Sequence, residues 1–208
     1  MLIVGLTGGI GAGKSTVAEL LSFHGAAVVD VDGLGLEIIV PGGSAVEPVV
    51  ERFGDHLRGP DGGIDRPALA AIVFNDPSEL AALNEISHPA INDLLDERIE
   101  TIAAKGVADV VVLDMAVLVE STLGRDTRFP YEVVVTVEAP PDVRLQRLTG
   151  RGMTADDAKA RLASQATDDQ RREASNFVIG NGGGTDELAD AARQLWDALR
   201  SLADERAA

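Results

Sequence analysis

Eight residues, Gly8-Gly9-Ile10-Gly11-Ala12-Gly13-Lys14-Ser15, with Thr16 behind them, follow the apolar run Leu2 to Leu6 after a single residue. They fit the pattern G-x-x-x-x-G-K-[ST], in which glycines permit positive φ and let backbone N–H groups converge on an anion. The pattern makes physical sense only between a strand and a helix, and it predicts a helix over Lys14 to Phe23 whose N-terminal dipole adds to the anion site. Read this way, the backbone of Gly8, Gly9, Gly11, Ala12, Gly13, Lys14, Ser15 and Thr16 cradles nucleotide phosphates, Lys14 carries a cation to the β and γ positions, and Ser15 is a magnesium ligand. The plainer reading is a glycine-rich turn with a surface lysine, which the strand before it and the helix after it argue against.

The same strand–turn–helix arrangement repeats along the chain. Apolar runs at Ala26 to Val29, Val110 to Leu113, Val133 to Val137 and, more weakly, Phe177 to Ile179 are continuous rather than alternating. Continuous runs separated by helix-length stretches are what a parallel sheet covered on both faces requires. The expected class is α/β, a doubly wound, five-stranded, mainly parallel sheet. About 80 residues lie between the second and third runs, far more than one crossover helix needs, so a helical subdomain is inserted there. Within it, Asp65-Arg66-Pro67 marks a capped helix start, and Asp76-Pro77-Ser78-Glu79 marks another with a capping-box glutamate. Pro89 is expected to kink or break the helix running from about Pro77 to Lys105. Asp186 to Glu205 has the pattern of one amphipathic closing helix.

Composition narrows the function. There are 18 Lys+Arg against 34 Asp+Glu, a formal net charge of −16, which disfavours nucleic-acid binding because a duplex-binding surface needs clustered cations. A small anion in a locally positive pocket remains open. With no cysteine in the chain, thiol catalysis and thiolate zinc sites are excluded and a reducing compartment fits. No cationic leader and no membrane-length apolar run precede or interrupt the pattern, so a cytoplasmic protein without membrane contact is expected.

Acidic residues end the apolar runs. Asp30 and Asp32 close the second, and if the strand continues, alternation puts both on one side. One of them then faces the γ-phosphate, and Asp32, further out, is the candidate to orient an acceptor hydroxyl and take its proton; the other reading is a solvated turn with helix-capping carboxylates. Asp114 ends the third run as a second acidic group near magnesium or as a turn residue, and Glu120 is a weaker polar candidate six residues on.

Arg144, Arg147 and Arg151 recur at i, i+3 and i+7 on a helix beginning near Pro141. Such a cluster either grips phosphate on a mobile lid hinged at Gly150 and Gly152 or forms a solvated, salt-bridged face. His24 and His56 look like surface or turn residues, and His88, before Pro89, looks structural rather than catalytic. Asn181 and Gly182 to Gly184, past the last strand, suggest an adenine-side loop.

Gly5 to Thr16, Val29-Asp30-Val31-Asp32, Asp65-Arg66, His88-Pro89, Gln165-Ala166 and Ile179-Gly180-Asn181 come in an order that resembles the dephospho-coenzyme A kinases over nearly the whole chain. The resemblance implies a P-loop kinase fold and transfer of the ATP γ-phosphate to the ribose 3′-hydroxyl of dephospho-coenzyme A, with magnesium as cofactor. It implies one domain over 1–208, with a core of about 1–32, 106–138 and 173–208, an acceptor-binding insertion of about 33–105 and a lid of about 139–172. Asp32 would be the base, Lys14 the phosphate lysine, Arg147 and Arg151 the lid arginines, and Asn181 a nucleotide contact. Arg66, His88, Asp114 and Glu120 would join Asp32 on the acceptor side. Where the family usually has a proline after the third strand, this chain has Ala116, which loosens that loop, and the lid is one residue short near Gly150.

Three rivals bear comparison. A GTPase switch would use Asp30-Val31-Asp32-Gly33 as D-x-x-G, but that segment comes too early and no Asn-Lys-x-Asp motif accompanies it. A kinase of another small molecule, such as a nucleoside or nucleotide, would need the same loop, base and lid. A non-catalytic nucleotide-binding scaffold has no need to retain Lys14, Ser15 and Asp32 together. The sequence leaves oligomeric state open, and a monomer is compatible with it.

Overall fold

The computed structural model describes residues 1–207. Those residues divide into two compact units, one formed by Met1–Asp30 with the chain from Arg98 onward, the other by Val31–Glu97.

The first unit is built on five strands, β1 (Leu2–Gly8), β2 (Ala27–Asp30), β3 (Val110–Asp114), β4 (Val133–Glu138) and β5 (Phe177–Gly180). They are ordered β2-β3-β1-β4-β5, and all four pairings are parallel. Every residue of the central strand β1 is buried, which is why its sequence is continuously apolar rather than alternating. Leu2, Val4 and Leu6 turn to one face, where Val17 and Leu21 of helix α1 (Lys14–His24) meet Leu195, Trp196 and Leu199 of the closing helix α9 (Thr185–Ala207). Gly5 turns to the other face, where Leu118 and Tyr131 pack so closely that a Cβ at position 5 would lie 2.4 Å from Leu118. Between β4 and β5 run α6 (Pro141–Gly150), α7 (Ala155–Ala163) and α8 (Asp168–Glu173). Thr167 begins α8 with a complete capping box, its hydroxyl accepting from Gln170 N–H while the Gln170 side chain accepts from Thr167 N–H.

The second unit holds α2 (Val31–Glu37), α3 (Val46–Phe53), α4 (Arg66–Val73) and most of α5 (Pro77–Lys105), with a short 3-10 turn at Asp55–Leu57. Asp65 caps α4 as its sequence predicts, accepting from Ala68 N–H at 3.1 Å with a proline in the first turn. Two expectations are corrected here. Pro89 lies inside α5 without breaking it, and α5 runs as one helix of 29 residues: a proline removes one N–H donor, but burial of Ile91, Leu95 and Ile99 holds the turns beyond it. At the start of α5, Asp76 takes the Ser78 N–H at 2.8 Å, while the Glu79 carboxylate pairs with Arg52 at 2.8 Å instead of reaching back to complete a capping box.

A third correction concerns Asp32. Strand β2 ends at Asp30, and the chain enters α2 at the next residue, so Asp32 sits in the first turn of a helix. Strand alternation therefore does not relate it to Asp30. Among the described residues, no helix is long and apolar enough to cross a membrane.

Candidate functional site

The carboxyl ends of the strands are where an open α/β sheet collects its ligands, and the chemistry of the first unit collects there. Gly8 ends β1, and Gly9 to Gly13 turn the chain into α1. Gly13, at the helix N-cap, has φ 100° and no side chain to cap the first turn, so the leading N–H groups of α1 stay open to an anion.

Three consecutive carbonyls of this loop are tied back from elsewhere in the first unit. Arg144 Nε donates to Ile10 O at 3.0 Å. Arg147 Nη1 donates to Gly11 O and Ala12 O at 3.3 Å each, and Asn181 Nδ2 donates to Ala12 O at 2.8 Å. In a trans peptide the next N–H points opposite to the carbonyl, so tying back these carbonyls turns the Gly11 and Gly13 N–H groups the other way. The Ala12 N–H closes a turn on Gly9 O at 2.9 Å.

Lys14 forms an ion pair with Asp114 at the end of β3. Asp30 is in register with Asp114 on the neighbouring strand, and both line a cleft of about 370 Å³ with Ser15, Glu19 and Ser22. Ser15, Asp30 and Asp114 offer hard oxygen donors around one space. Among the described residues no group of three or more His, Cys, Asp or Glu could hold a metal ion, so an all-protein cage is not on offer. The donor set suits magnesium, which is bound by one or two carboxylates together with phosphate oxygens and water.

The three arginines of α6 separate by environment. Arg144 is 5% exposed and engaged with Ile10 and Asp168. Arg147 is half-buried and serves the loop and Asn181, whose carbonyl it meets at 3.0 Å. Arg151, at the C-cap of α6 beside Gly152, is exposed. Glu120 is drawn to a different task than a ligand pocket: its Oε1 accepts from Ala166 N–H at 2.9 Å and from Arg171 Nη2 at 3.3 Å. A second cleft of about 340 Å³, lined by Glu138, Pro140, Asp168, Arg172, Gly180 and Gly182, lies at the ends of β4 and β5.

In the second unit, Asp32 is exposed. Arg66, the first residue of α4, lines an apolar cleft of about 290 Å³ with Ile39, Leu69, Val73, Phe74 and Leu80. His88 is half-buried on α5, and burial holds its pKa below the usual imidazole range.

Sequence reasoning singled out Arg144, Arg147, Asn181 and Gln165 but missed that they hold the loop's backbone from outside. Gln165 accepts the Ile10 N–H at 2.8 Å, and Asp168 and Arg171 form part-buried contacts that no local pattern announces. The Thr167-x-x-Gln170 capping signature was the one readable sign that a helix begins just beyond Gln165.

Residues 2–187 match the family model described as dephospho-CoA kinase. A protein named dephospho-CoA kinase from Frankia casuarinae is 42% identical over 207 residues, covering 100% of this chain and 87% of that protein. A crystal structure from Thermus thermophilus shares the fold with a TM-score of 0.79 and 31% identity, covering 95% of this chain and 96% of that one. The dephospho-CoA kinase structure from Campylobacter jejuni is alike in fold, with a TM-score of 0.67 at 21% identity and 98% of both chains covered. A five-stranded parallel sheet of P-loop kinase type, the loop at its carboxyl edge and a match of this length together show that the chain belongs to the dephospho-CoA kinase family.

Proposed function

We propose that this kinase transfers the γ-phosphate of ATP to the ribose 3′-hydroxyl of dephospho-coenzyme A, giving coenzyme A, with the residues described above in definite roles. The observation that carries the reading is the tying back of the Ile10, Gly11 and Ala12 carbonyls by Arg144, Arg147 and Asn181. It leaves a row of N–H donors facing one side, with Lys14 and the opening turn of α1 next in the chain.

The ATP phosphates lie against those donors, and Lys14 neutralises charge on the β and γ groups. Ser15, with Asp30 and Asp114 lining the same cleft, would hold magnesium, which would supply positive charge to offset that of the phosphates. Asn181 and the glycines after it take the adenine side, consistent with the cleft that borders Gly180 and Gly182. Arg147 holds the nucleotide through the loop. Arg151, exposed at the end of α6, is available to meet charge developing on the transferred group.

Asp32 orients the acceptor hydroxyl and receives its proton as the new oxygen–phosphorus bond forms and the bond to the β-phosphate oxygen breaks. The second unit takes the acceptor. Its cleft combines the Arg66 cation with apolar walls, which suits a molecule carrying phosphates on a largely aliphatic arm. A reducing, cytoplasmic setting is part of this reading and rests on the cysteine-free composition.

The test is to incubate the purified chain with ATP, magnesium and dephospho-coenzyme A and weigh the products. One added phosphoryl group on the acceptor is expected, together with ADP, and Lys14→Ala should lose both nucleotide affinity and rate. ATP binding without a phosphorylated acceptor would refute the acceptor assignment, and unchanged kinetics in Lys14→Ala would refute the role of the lysine.

A further inference from the structure

One residue of the phosphate loop is gripped at both of its backbone polar groups. The Ile10 N–H donates to Gln165 Oε1 at 2.8 Å, and the Ile10 carbonyl accepts from Arg144 Nε at 3.0 Å. The partners lie 155 and 134 residues away in sequence, so the grip is tertiary. Gly9 makes room for it: a Cβ there would fall 2.1 Å from Arg144 Nη2, so the guanidinium can lie on the loop only if residue 9 has no side chain.

The two gripping residues are themselves joined. Arg144 Nη1 meets the Asp168 carboxylate at 3.0 and 3.3 Å. Asp168 Oδ1 also meets Arg171 Nη1 at 3.5 Å, and that nitrogen donates to the Ala166 carbonyl at 2.5 Å. Ala166 follows Gln165 in the chain, and its N–H is taken by Glu120 at 2.9 Å. Ile10, Gln165, Ala166, Arg171, Asp168 and Arg144 thus form a closed ring of contacts. Arg171, at its far side, is 1% exposed, and a buried cation is retained at that depth only when its partners are fixed.

We infer that Arg144 and Gln165 are positioning residues for phosphoryl transfer, acting as a pair on the two peptides that meet at Ile10, with Arg171 and Asp168 as the frame that keeps them in register. The inference rests on the reading of Gly8 to Ser15 as the ATP phosphate site. The Ile10 carbonyl and the Gly11 N–H belong to one rigid peptide plane, so the grip on Ile10 sets where the Gly11 donor points. Phosphoryl transfer depends on placement of charge and donors more than on covalent chemistry, and an error of about 1 Å can cost on the order of a hundredfold in rate. The pair therefore acts on turnover more than on nucleotide affinity, which the remaining N–H groups and Lys14 sustain.

The test uses the full chain with ATP, magnesium and dephospho-coenzyme A, and three variants: Gln165→Met, which keeps length but loses the acceptor; Arg144→Lys, which keeps charge but cannot span Ile10 and Asp168; and both together. Gln165 is half-buried on the connection between α7 and α8, so its replacement leaves the core intact, and a melting curve verifies this. Each single variant should lose kcat by about ten- to a hundredfold with the dissociation constant for ATP changed less than about threefold, a split that a merely structural defect would not produce. The double variant should lose no more than the worse single one, because both fix the same residue and are coupled through it. Losses that multiply, an ATP affinity that falls in step with kcat, or a kcat within about twofold of the parent chain's in Gln165→Met would each overturn the inference. Failure of the parent chain itself to bind ATP would instead overturn the phosphate-site reading, before any variant is compared.

Discussion

Asn181 Nδ2 donates to the Ala12 carbonyl at 2.8 Å across 169 residues of sequence, and the two groups are buried together. The loop after β5 thereby holds the loop after β1. Asn181 also accepts from Arg147 Nη2, at 3.2 Å through Oδ1 and at 3.0 Å through its own carbonyl. Replacing Asn181 by Ala leaves Ala12 O with only the longer bond from Arg147. Losing one side of such a buried pair costs about 1–3 kcal/mol. At about 2–4 °C per kcal/mol for a chain of this size, the melting temperature should fall measurably and the KM for ATP should rise. An unchanged melt would show that the contact holds nothing.

Gly13 is the neighbour that permits this contact. Its φ of 100° is strained for any other residue, and a Cβ there would lie 2.0 Å from Asn181 Nδ2. Gly13→Ala should lose ATP binding for both reasons, the left-handed backbone alone costing about 1–2 kcal/mol. In the Gly13→Ala, Asn181→Ala double variant the collision is gone and only the backbone strain remains. Its ATP affinity should exceed what the two single losses predict when added. Strict additivity, measured by titration with ATP, would show that the two side chains do not meet.

Asp32→Asn keeps size and hydrogen bonding but removes the group proposed to take the hydroxyl proton. General-base catalysis of this kind contributes about 10²–10⁴-fold, so kcat should fall by that order while the dissociation constant for ATP stays close to that of the parent chain. Comparable losses in both would mean that Asp32 serves nucleotide binding.

How much of this was legible follows from the range of the interactions. The strands of the sheet could be read because burial on both faces leaves a continuous apolar run, as in Leu2 to Leu6 and Val110 to Leu113. The phosphate loop could be read because its demands are local: positive φ, small residues, a helix start. Asp32 was misplaced because nothing in Val29-Asp30-Val31-Asp32 announces that the strand stops at Asp30 and a helix begins at once. A break of α5 at Pro89 was one of the two outcomes its sequence allows, because local propensity cannot weigh the burial of Leu95 and Ile99 against one missing donor. The burial of Arg144, and Arg171 altogether, were beyond reach for a related reason. A periodic arginine fits either a phosphate grip or a solvated face, and only partners such as Ile10 and Glu120, 134 and 51 residues from Arg144 and Arg171, make these two part of the interior.

His88 should leave a signature in the pH dependence of stability. Burial disfavours its charged form and holds its folded pKa below the ordinary value of 6.5. The unfolded chain therefore binds the proton more readily than the folded one, and stability falls as pH drops through the unfolded pKa toward the folded one. Above that window the imidazole is neutral in both states and contributes no slope. His88→Gln, which cannot titrate, should lose less stability than the parent chain between pH 7.5 and pH 5, whatever constant offset the lost packing introduces. Chemical denaturation at a series of pH values reads the difference directly: curves that converge on acidification support a desolvated imidazole, and curves that stay parallel would mean that His88 is as well solvated in the folded chain as in the unfolded one.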